Sequence, residues 1–141
     1  MSNKFHALDV RLQHRDPGSA AITATAVVET INQRAAGRTD YLTKIHIEAM
    51  DIAGNDELYA FVIELSDDNF SNVREVAAIR DFGATEVRQS GAPDTLVGDN
   101  IEMFWSTEVN GVVYQDWRLK LFISGAGSET ITYHAYSTIL V

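Results

Sequence analysis

The sequence predicts an all-β fold, an antiparallel sandwich of two sheets. Apolar and polar residues alternate with a period of two along most of the chain, as they do in half-buried strands. Turn-forming residues interrupt the alternation at short intervals, and Asn110-Gly111 is the strongest short hairpin signal among them. The chain has 141 residues, of which 45% are hydrophobic and 22% charged, so we expect one domain with a real core.

The chain begins with a short segment that precedes the sandwich. Residues 1–19 contain a brief alternating stretch followed by the turn signal Pro17-Gly18, and this predicts an N-terminal arm or an extra edge strand. Residues 20–141 are expected to form the single sandwich domain. Its first strand, residues 20–30, is rich in alanine and threonine, and these small side chains predict close packing of the sheets.

The remaining strands follow at intervals of roughly 10 to 15 residues. The clearest alternation has Tyr41 and Ile45 on one face and Lys44 and His46 on the other. Eight strands fit a sandwich of the jelly-roll type better than an immunoglobulin-like one of about seven, and an eight-stranded up-and-down barrel is the alternative. The predicted strands are residues 20–30, 41–49, 59–65, 73–79, 85–89, 101–107, 117–123 and 130–140.

The charge balance argues against several classes of partner. Eleven Lys and Arg against twenty Asp and Glu give a formal net charge of -9, which opposes the phosphates of nucleic acids and anionic membrane surfaces.

The absence of cysteine excludes disulfide frameworks and thiolate nucleophiles. The chain starts without a signal-peptide pattern, and no segment approaches the ~18 apolar residues of a membrane span. We therefore expect a soluble protein made in the cytoplasm.

The histidines do not predict a metal site. No two of them stand at the i, i+2 or i, i+4 spacing that lets neighbouring side chains share one metal ion, so we expect surface histidines instead. The four are His6, His14, His46 and His134.

Two predicted turns are rich in oxygen-bearing side chains, the ligands that calcium prefers. Neither turn has the regular D-x-[DN]-x-[DN]-G spacing of a calcium loop, and the same residue types bind backbone amides in ordinary turns. A solvated turn is favoured in both places, and calcium stays open as the alternative. The first turn contains Asp51, Asn55, Asp56 and Glu57, and the second contains Asp67, Asp68 and Asn69.

No arrangement typical of an enzyme is visible. Asp67 and Asp68 are adjacent, so in an extended segment their side chains point apart rather than across a sugar substrate. The chain has no G-x-S-x-G elbow and no glycine-rich phosphate loop followed by lysine and a helix. We therefore expect a protein without catalytic activity and without a cofactor.

Trp105 and Trp117 share faces with apolar residues and are expected in the core rather than on a sugar-stacking platform.

Three stretches of the chain resemble a known family. They are AAITATAVVETI, ELYAFVIELSDDNFSNV and the closing WRLKLFISGAGSETITYHAYSTILV, which together span residue 20 to the end. The most specific parts are S-D-D-x-F-S at 66–71 and R-L-x-L-F-x-x-G at 118–125. The chain is similar to the small jelly-roll cement (decoration) proteins of tailed-bacteriophage capsids.

This resemblance implies a virion structural protein on the outer capsid surface. Such a protein binds the assembled shell where subunits of the major capsid protein meet, often as a homo-oligomer such as a dimer or trimer, and reinforces it. The resemblance also implies that Ser66-Asp67-Asp68-Asn69-Phe70 is a strand-connecting turn, with Phe70 as a plug over the end of the sandwich. A carbohydrate-binding or receptor-binding sandwich is the alternative, because those modules also use jelly rolls.

Alternation further predicts where a partner would bind. In the jelly-roll order, the third, sixth and eighth predicted strands share a sheet with the first, and on these strands the residues of opposite parity to the core face outward. The residues expected to face the core are Tyr59, Phe61, Ile63, Leu65, Met103, Trp105, Ile131, Tyr133 and Ile139. An exposed apolar group on so acidic a chain would mark an interaction site. The alternatives are that residues 5–12 cover this group, that a β-bulge shifts the parity, or that the partner docks through the loop 90–100 or the N-terminal arm. The predicted contact residues are Val62, Phe104, Tyr136 and Leu140.

Overall fold

The computed structural model describes residues 13–32, 37–95, 98–125 and 129–140. Its strands pair as antiparallel sheets, which confirms the all-β sandwich. One short 3-10 turn, Thr85–Val87, lies between the strands. The strands are β1 (Gln13–Arg15), β2 (Ala26–Asn32), β3 (Asp40–Met50), β4 (Leu58–Ser66), β5 (Arg74–Gly83), β6 (Asn100–Ser106), β7 (Glu108–Val109), β8 (Val112–Val113), β9 (Asp116–Ser124) and β10 (Ile131–Leu140).

Two four-stranded sheets enclose the core. The first sheet has the order β1-β10-β3-β6, and the second has the order β2-β9-β4-β5. The short strands β7 and β8 form a separate ribbon. Before the chain crosses to the second sheet, Ile22 bridges Ile131 of β10. The strands therefore pair as two separate sheets rather than as one closed barrel.

The prediction of a strand at residues 85–89 is wrong. Asp94 Oδ1 accepts a hydrogen bond from Thr85 N–H at 2.7 Å, and Asp81 Oδ1 accepts one from Gln89 N–H at 2.7 Å. Because side chains take these backbone donors, the segment does not need a partner strand and forms a 3-10 turn.

The predicted assignment of strands to the two sheets is also wrong, and the N-terminal segment explains the error. Part of it forms β1, which takes the edge position beside β10. The strand at residues 20–30 had been assigned to this sheet together with the third predicted strand, but both lie in the second sheet, as β2 and β4. Residues 1–12 lie outside the described residues, so the possible cover by residues 5–12 does too.

The core lies between the inner faces of the two sheets, and both tryptophans are in it. The Trp105 and Trp117 rings meet edge to face with centroids 4.6 Å apart. The Tyr41 ring stacks on Trp105 at 4.7 Å. Aromatic pairs in such arrangements add about 0.5–1.5 kcal/mol to the free energy gained by burial alone. The prediction that both tryptophans belong to the core is confirmed.

Most of the expected core residues are buried, with two corrections. Ile139 was expected inside but is 42% exposed, because it lies next to the end of β10 where fewer neighbours cover it. His14 was expected on the surface but is only 4% exposed, because it lies on the inward face of β1 against the Trp117 ring. The confirmed core residues are Tyr59, Phe61, Ile63, Leu65, Met103, Trp105, Ile131 and Tyr133.

Candidate functional site

The outward side chains of the first sheet form a flat surface that we call the outer face. On β3, β6 and β10 the residues of this face alternate with inward residues, most of which are buried, as the pleat of a half-buried sheet requires. Cross-strand pairing places these side chains in rows that run from β6 through β3 to β10. The rows are Ser106–Asp40–Leu140, Phe104–Leu42–Thr138, Glu102–Lys44–Tyr136 and Asn100–His46–His134.

One half of the outer face, which we call the apolar half, holds Phe104, Leu42 and Leu140 among polar residues. Phe104 is 66% exposed and is the most exposed large hydrophobic residue of the described chain. Leu42 lies directly beside it on β3, and Leu140 lies in the next row. A shallow pocket of about 320 Å³ lies here, between Phe104 and Leu140 on one side and the ion pair of Arg38 and Asp40 on the other.

The other half of the outer face is polar and holds two histidines. The rings of His46 and His134 lie side by side with centroids 4.9 Å apart. His46 Nδ1 lies 2.9 Å from Asn100 Oδ1, and His134 Nδ1 lies 3.8 Å from Glu48 Oε1. These rings line a pocket of about 280 Å³, together with Tyr136 and the ion pair of Lys44 and Glu102. This half can therefore make polar contacts beside an apolar patch.

The structure brings together three of the four predicted contact residues. Phe104, Tyr136 and Leu140 all lie on the outer face. Val62 does not, because β4 belongs to the second sheet and Val62 is fully buried. It lies on an inner strand between Ala78 of β5 and Lys120 of β9, whose side chains flank it on both sides.

Sequence reasoning missed Leu42 and the histidine pair. His46 and His134 are far apart in the chain, and only the register between β3 and β10 places them opposite each other. The alternation in each strand predicts that both histidines face outward. It does not predict that they are neighbours. Knowing that β3 is the central partner of both β6 and β10 would have identified these residues.

The segment Ser66-Asp67-Asp68-Asn69-Phe70 is a tight turn held by its own side chains. Ser66 Oγ accepts hydrogen bonds from Asp68 N–H at 3.1 Å and from Phe70 N–H at 2.9 Å. Asn69 and Phe70 have positive φ angles of 57° and 62°, so the chain reverses here at some cost in strain. Hydrogen bonds from the backbone and side chain of Asn72, and from Ser66, lower the pKa of Asp68 to about 2.

Phe70 lies against an ion pair of the second sheet, and its expected role as a plug over the end of the sandwich stays a prediction. The Arg118 guanidinium lies over the Phe70 ring at 4.4 Å and is 2.9 Å from Glu64 Oε1. The Glu64 side chain is almost fully buried. Phe70 therefore shields a charged pair on the outward side of the second sheet, close to where β4 ends.

The other acidic turn is also closed by backbone contacts. Glu57 is buried and accepts hydrogen bonds from Gly54 N–H at 2.6 Å and Asp56 N–H at 3.2 Å. Asp51 Oδ1 accepts one from Ala53 N–H at 2.9 Å. Among the residues that the structure describes, no group of three or more histidine and carboxylate side chains is arranged to hold a metal ion.

Comparisons with known proteins leave the family open. No family model matches the chain, and no curated protein matches it either. Within the described ranges, no helix is long and apolar enough to cross a membrane. The site must therefore be interpreted from its own geometry.

Proposed function

We propose that this protein is a non-enzymatic cement (decoration) protein of a tailed-bacteriophage capsid, and that the outer face docks onto the assembled shell. The observation that carries the proposal is the exposed Phe104 with Leu42 beside it and Leu140 in the next row, on the flat face of an acidic domain. Exposed apolar groups of this kind mark interaction sites. The sequence resemblance to cement proteins supports the same conclusion. The partner is then the major capsid protein, and the chain is made in the bacterial cytoplasm before joining the outside of the virion.

The proposal includes a jelly-roll sandwich, and the order of the strands supports it. Apart from the pair β4 and β5, which are neighbours in the second sheet, the chain changes sheets between successive strands of the two main sheets. Each sheet has four strands, which is the arrangement of an eight-stranded jelly roll with two Greek keys. The ribbon of β7 and β8 is then an insertion between β6 and β9.

The two halves of the outer face have different roles in this docking. The apolar half supplies most of the binding free energy, because burial of apolar surface is the main favourable term in protein association. The charged pairs of Lys44 with Glu102 and Arg38 with Asp40 fix orientation more than affinity. A ligand that binds only the assembled shell stabilises it by mass action, by ~2.7 kcal/mol per site at a concentration 100 times Kd.

Co-sedimentation with purified shells of the phage that encodes this chain tests the proposal. We expect the wild-type protein to pellet with shells and the double variant Leu42→Glu with Tyr136→Glu to stay in the supernatant. Both new carboxylates would lie beside Lys44, so the fold should tolerate them. The matched control carries Val73→Glu with Val112→Glu, two exposed apolar positions away from the outer face. Loss of binding in both variants, or in neither, contradicts docking through the outer face.

The polar pocket supports a second candidate, a carbohydrate-binding or receptor-binding module. Its lining combines rings from His46, His134 and Tyr136 with the charged groups of Lys44 and Glu102, which is chemistry that can stack on and hydrogen-bond a sugar. A glycan array separates the two candidates. Binding to one glycan class that is lost in His134→Ala, together with no affinity for shells, favours the carbohydrate module.

A further inference from the structure

The strand β6 is the edge strand of the first sheet, and no strand of the described residues pairs with its outer side. Its register with β3 is unbroken, and the flanking backbone bonds from Ile47 N–H to Asp99 O and from Thr107 N–H to Thr39 O continue the same pattern. In an antiparallel pair, every second residue directs its N–H and C=O groups to the partner. The backbone groups of Asp99 and Thr107 are directed to β3, and so are those of every second residue between them. The backbone groups of Glu102 and Phe104 therefore point away from β3, to the open side.

Although β5 of the second sheet lies near β6, β6 itself lacks the features that usually blunt a sheet edge. Natural edges are blunted by charged side chains, by bulges or by being very short. The edge strand β5 of the second sheet has Arg74, Glu75 and Arg80 and two register shifts against β4. Within the described part of the chain, the edge strand β1 is three residues long. By contrast, β6 has seven residues, one charged side chain and the exposed Phe104.

We propose that β6 pairs in antiparallel fashion with β6 of a second copy of this chain, about a two-fold axis at Phe104. The two first sheets then form one continuous sheet, and the two outer faces form one surface with a pair of Phe104 rings at its centre. A two-fold interface uses the same patch on both subunits, so the patch must be complementary to itself. The proposal concerns self-association in solution and does not depend on the function proposed above.

The side chains of β6 select this register. An axis at Glu102 would place two carboxylates directly opposite each other, about 5.5 Å apart at Cα, which is destabilising. An axis at Met103 would place each Glu102 against the aromatic ring of Phe104 on the other copy. An axis at Phe104 pairs ring with ring on the outer side and Met103 with Trp105 on the inner side. It overlaps fewer residues than the axis at Met103, but of these three axes it is the one without a carboxylate opposite an apolar group or another carboxylate.

Charge complementarity favours the same register. The axis at Phe104 places Glu102 of one copy opposite Ser106 of the other. Ser106 lines the shallow pocket that also contains Arg38, an exposed guanidinium at the rim. Glu102 of the second copy would enter this pocket beside the ion pair of Arg38 with Asp40, where the exposed Arg38 guanidinium has further N–H groups to donate to a second carboxylate. Two acidic chains can therefore meet at this edge in spite of their net charge.

The dimer should be weak in solution. One strand pair with a single exposed aromatic on each side gives an interface at the low end of specific complexes, below ~1,200 Å² of total buried area, where transient encounters are typical. We therefore expect a concentration-dependent equilibrium between monomer and dimer rather than a permanent dimer.

Sedimentation velocity over a wide range of concentration tests the pairing with variants at one position. Phe104→Pro removes the outward N–H, and proline is tolerated on an edge strand when that N–H faces solvent. Phe104→Thr is the matched control, because it loses the ring but keeps the N–H and a strand-forming side chain. We expect the wild type and Phe104→Thr to dimerise, and the dissociation constant of Phe104→Pro to be at least ~10-fold weaker than that of Phe104→Thr. A wild type that stays monomeric, or a dimer indifferent to Phe104→Pro, overturns the proposal.

A crosslink gives a second readout that survives if the proline variant fails to fold. The chain has no cysteine, so Phe104→Cys introduces one thiol that faces its own copy across the two-fold axis. We expect mild oxidation to give a covalent dimer with Phe104→Cys and none with Thr138→Cys, which lies two strands away in the same row. Equal crosslinking of the two variants contradicts the register. If the wild type does not self-associate but Phe104→Pro loses shell binding, β6 pairs with a strand of the shell protein instead of a second copy. That result would also overturn the proposal.

Discussion

His14 and Ser137 are joined by a hydrogen bond inside the core, with 2.8 Å between the imidazole Nε2 and the hydroxyl Oγ. The Ser137 hydroxyl also lies 2.7 Å from the Thr43 hydroxyl, which accepts a hydrogen bond from Trp105 Nε1–H at 2.8 Å. One polar chain therefore crosses all four strands of the first sheet on its buried side. Because these four side chains meet one another only when the strands pair in this way, their hydrogen bonds favour one register of the strands over others.

The burial of His14 makes stability depend on pH. Burial lowers the pKa of the His14 imidazole from 6.5 to about 4. Because the folded state holds His14 neutral, the unfolded chain binds more protons below pH 6.5, and the free energy of unfolding falls as the pH drops from about 6.5 to 4. The loss is on the order of 3 kcal/mol at most.

Denaturant unfolding between pH 7.5 and 4 checks this dependence. We expect His14→Gln to flatten it and His46→Gln, at a more exposed histidine, to leave it unchanged. A His14→Gln variant with the full wild-type slope would show that other groups cause the loss of stability.

The hydroxyl of Thr43 should contribute measurably to stability. Thr43→Val keeps the shape of the side chain but leaves the Trp105 indole N–H and the Ser137 hydroxyl each short of a partner in the core. Leaving a buried polar group without its partner costs about 1–3 kcal/mol. We expect a loss of that size in urea unfolding. Thr132→Val, on the same sheet but at a partly exposed position, is the control and should change stability by less than ~0.5 kcal/mol.

The acidic turn at Asp68 should respond to acid and be indifferent to chelators. Its carboxylate is held ionised by hydrogen bonds from Asn72 and Ser66, so its contribution is present above the ordinary pKa of 3.8 and is lost as the pH falls towards 2. Asp68→Ala should lower the melting temperature by a few degrees at pH 7 and have little effect at pH 2. A melting temperature that falls with EDTA and recovers with calcium alone would mean that a bound cation holds this turn.

Gly83 should tolerate no side chain. Its φ angle is 141°, and a Cβ atom there would lie 2.2 Å from the Glu57 carbonyl oxygen. That carbonyl accepts a hydrogen bond from Ala84 N–H at 2.9 Å, so it cannot move away freely. Gly83→Ala should destabilise the fold by more than ~1 kcal/mol, whereas Gly37→Ala, with open space around it, should be nearly neutral. Equal melting temperatures for the two variants would contradict this account.

The fold class followed from the sequence because alternation is a local property of each strand. The inward parity of Phe61 and Trp105 was therefore predictable, and both are buried. The neighbours of each strand were not, because pairing depends on residues far apart in the chain. The three residues of β1 carried too weak a pattern to be recognised as a strand. Because β1 is the first strand of the fold, the strands from β2 to β5 were each numbered one too low, and Val62 was assigned to the wrong sheet.

The histidines illustrate the same limit at the site. The buried position of His14 depends on the pairing of β1 with β10, and the contact between His46 and His134 depends on the pairing of β10 with β3. Spacing along the chain contains neither relation. The exposure of Phe104, by contrast, followed from the parity of its own strand and was predicted.

A cryo-electron microscopy map of shells decorated with this protein tests the central claim most directly. We predict that the first sheet faces the shell, with Leu42, Phe104 and Tyr136 in contact with the major capsid protein and the second sheet turned to solvent. A map in which the second sheet or the loop 90–100 contacts the shell, or in which saturating protein leaves the shell bare, would contradict docking through the outer face.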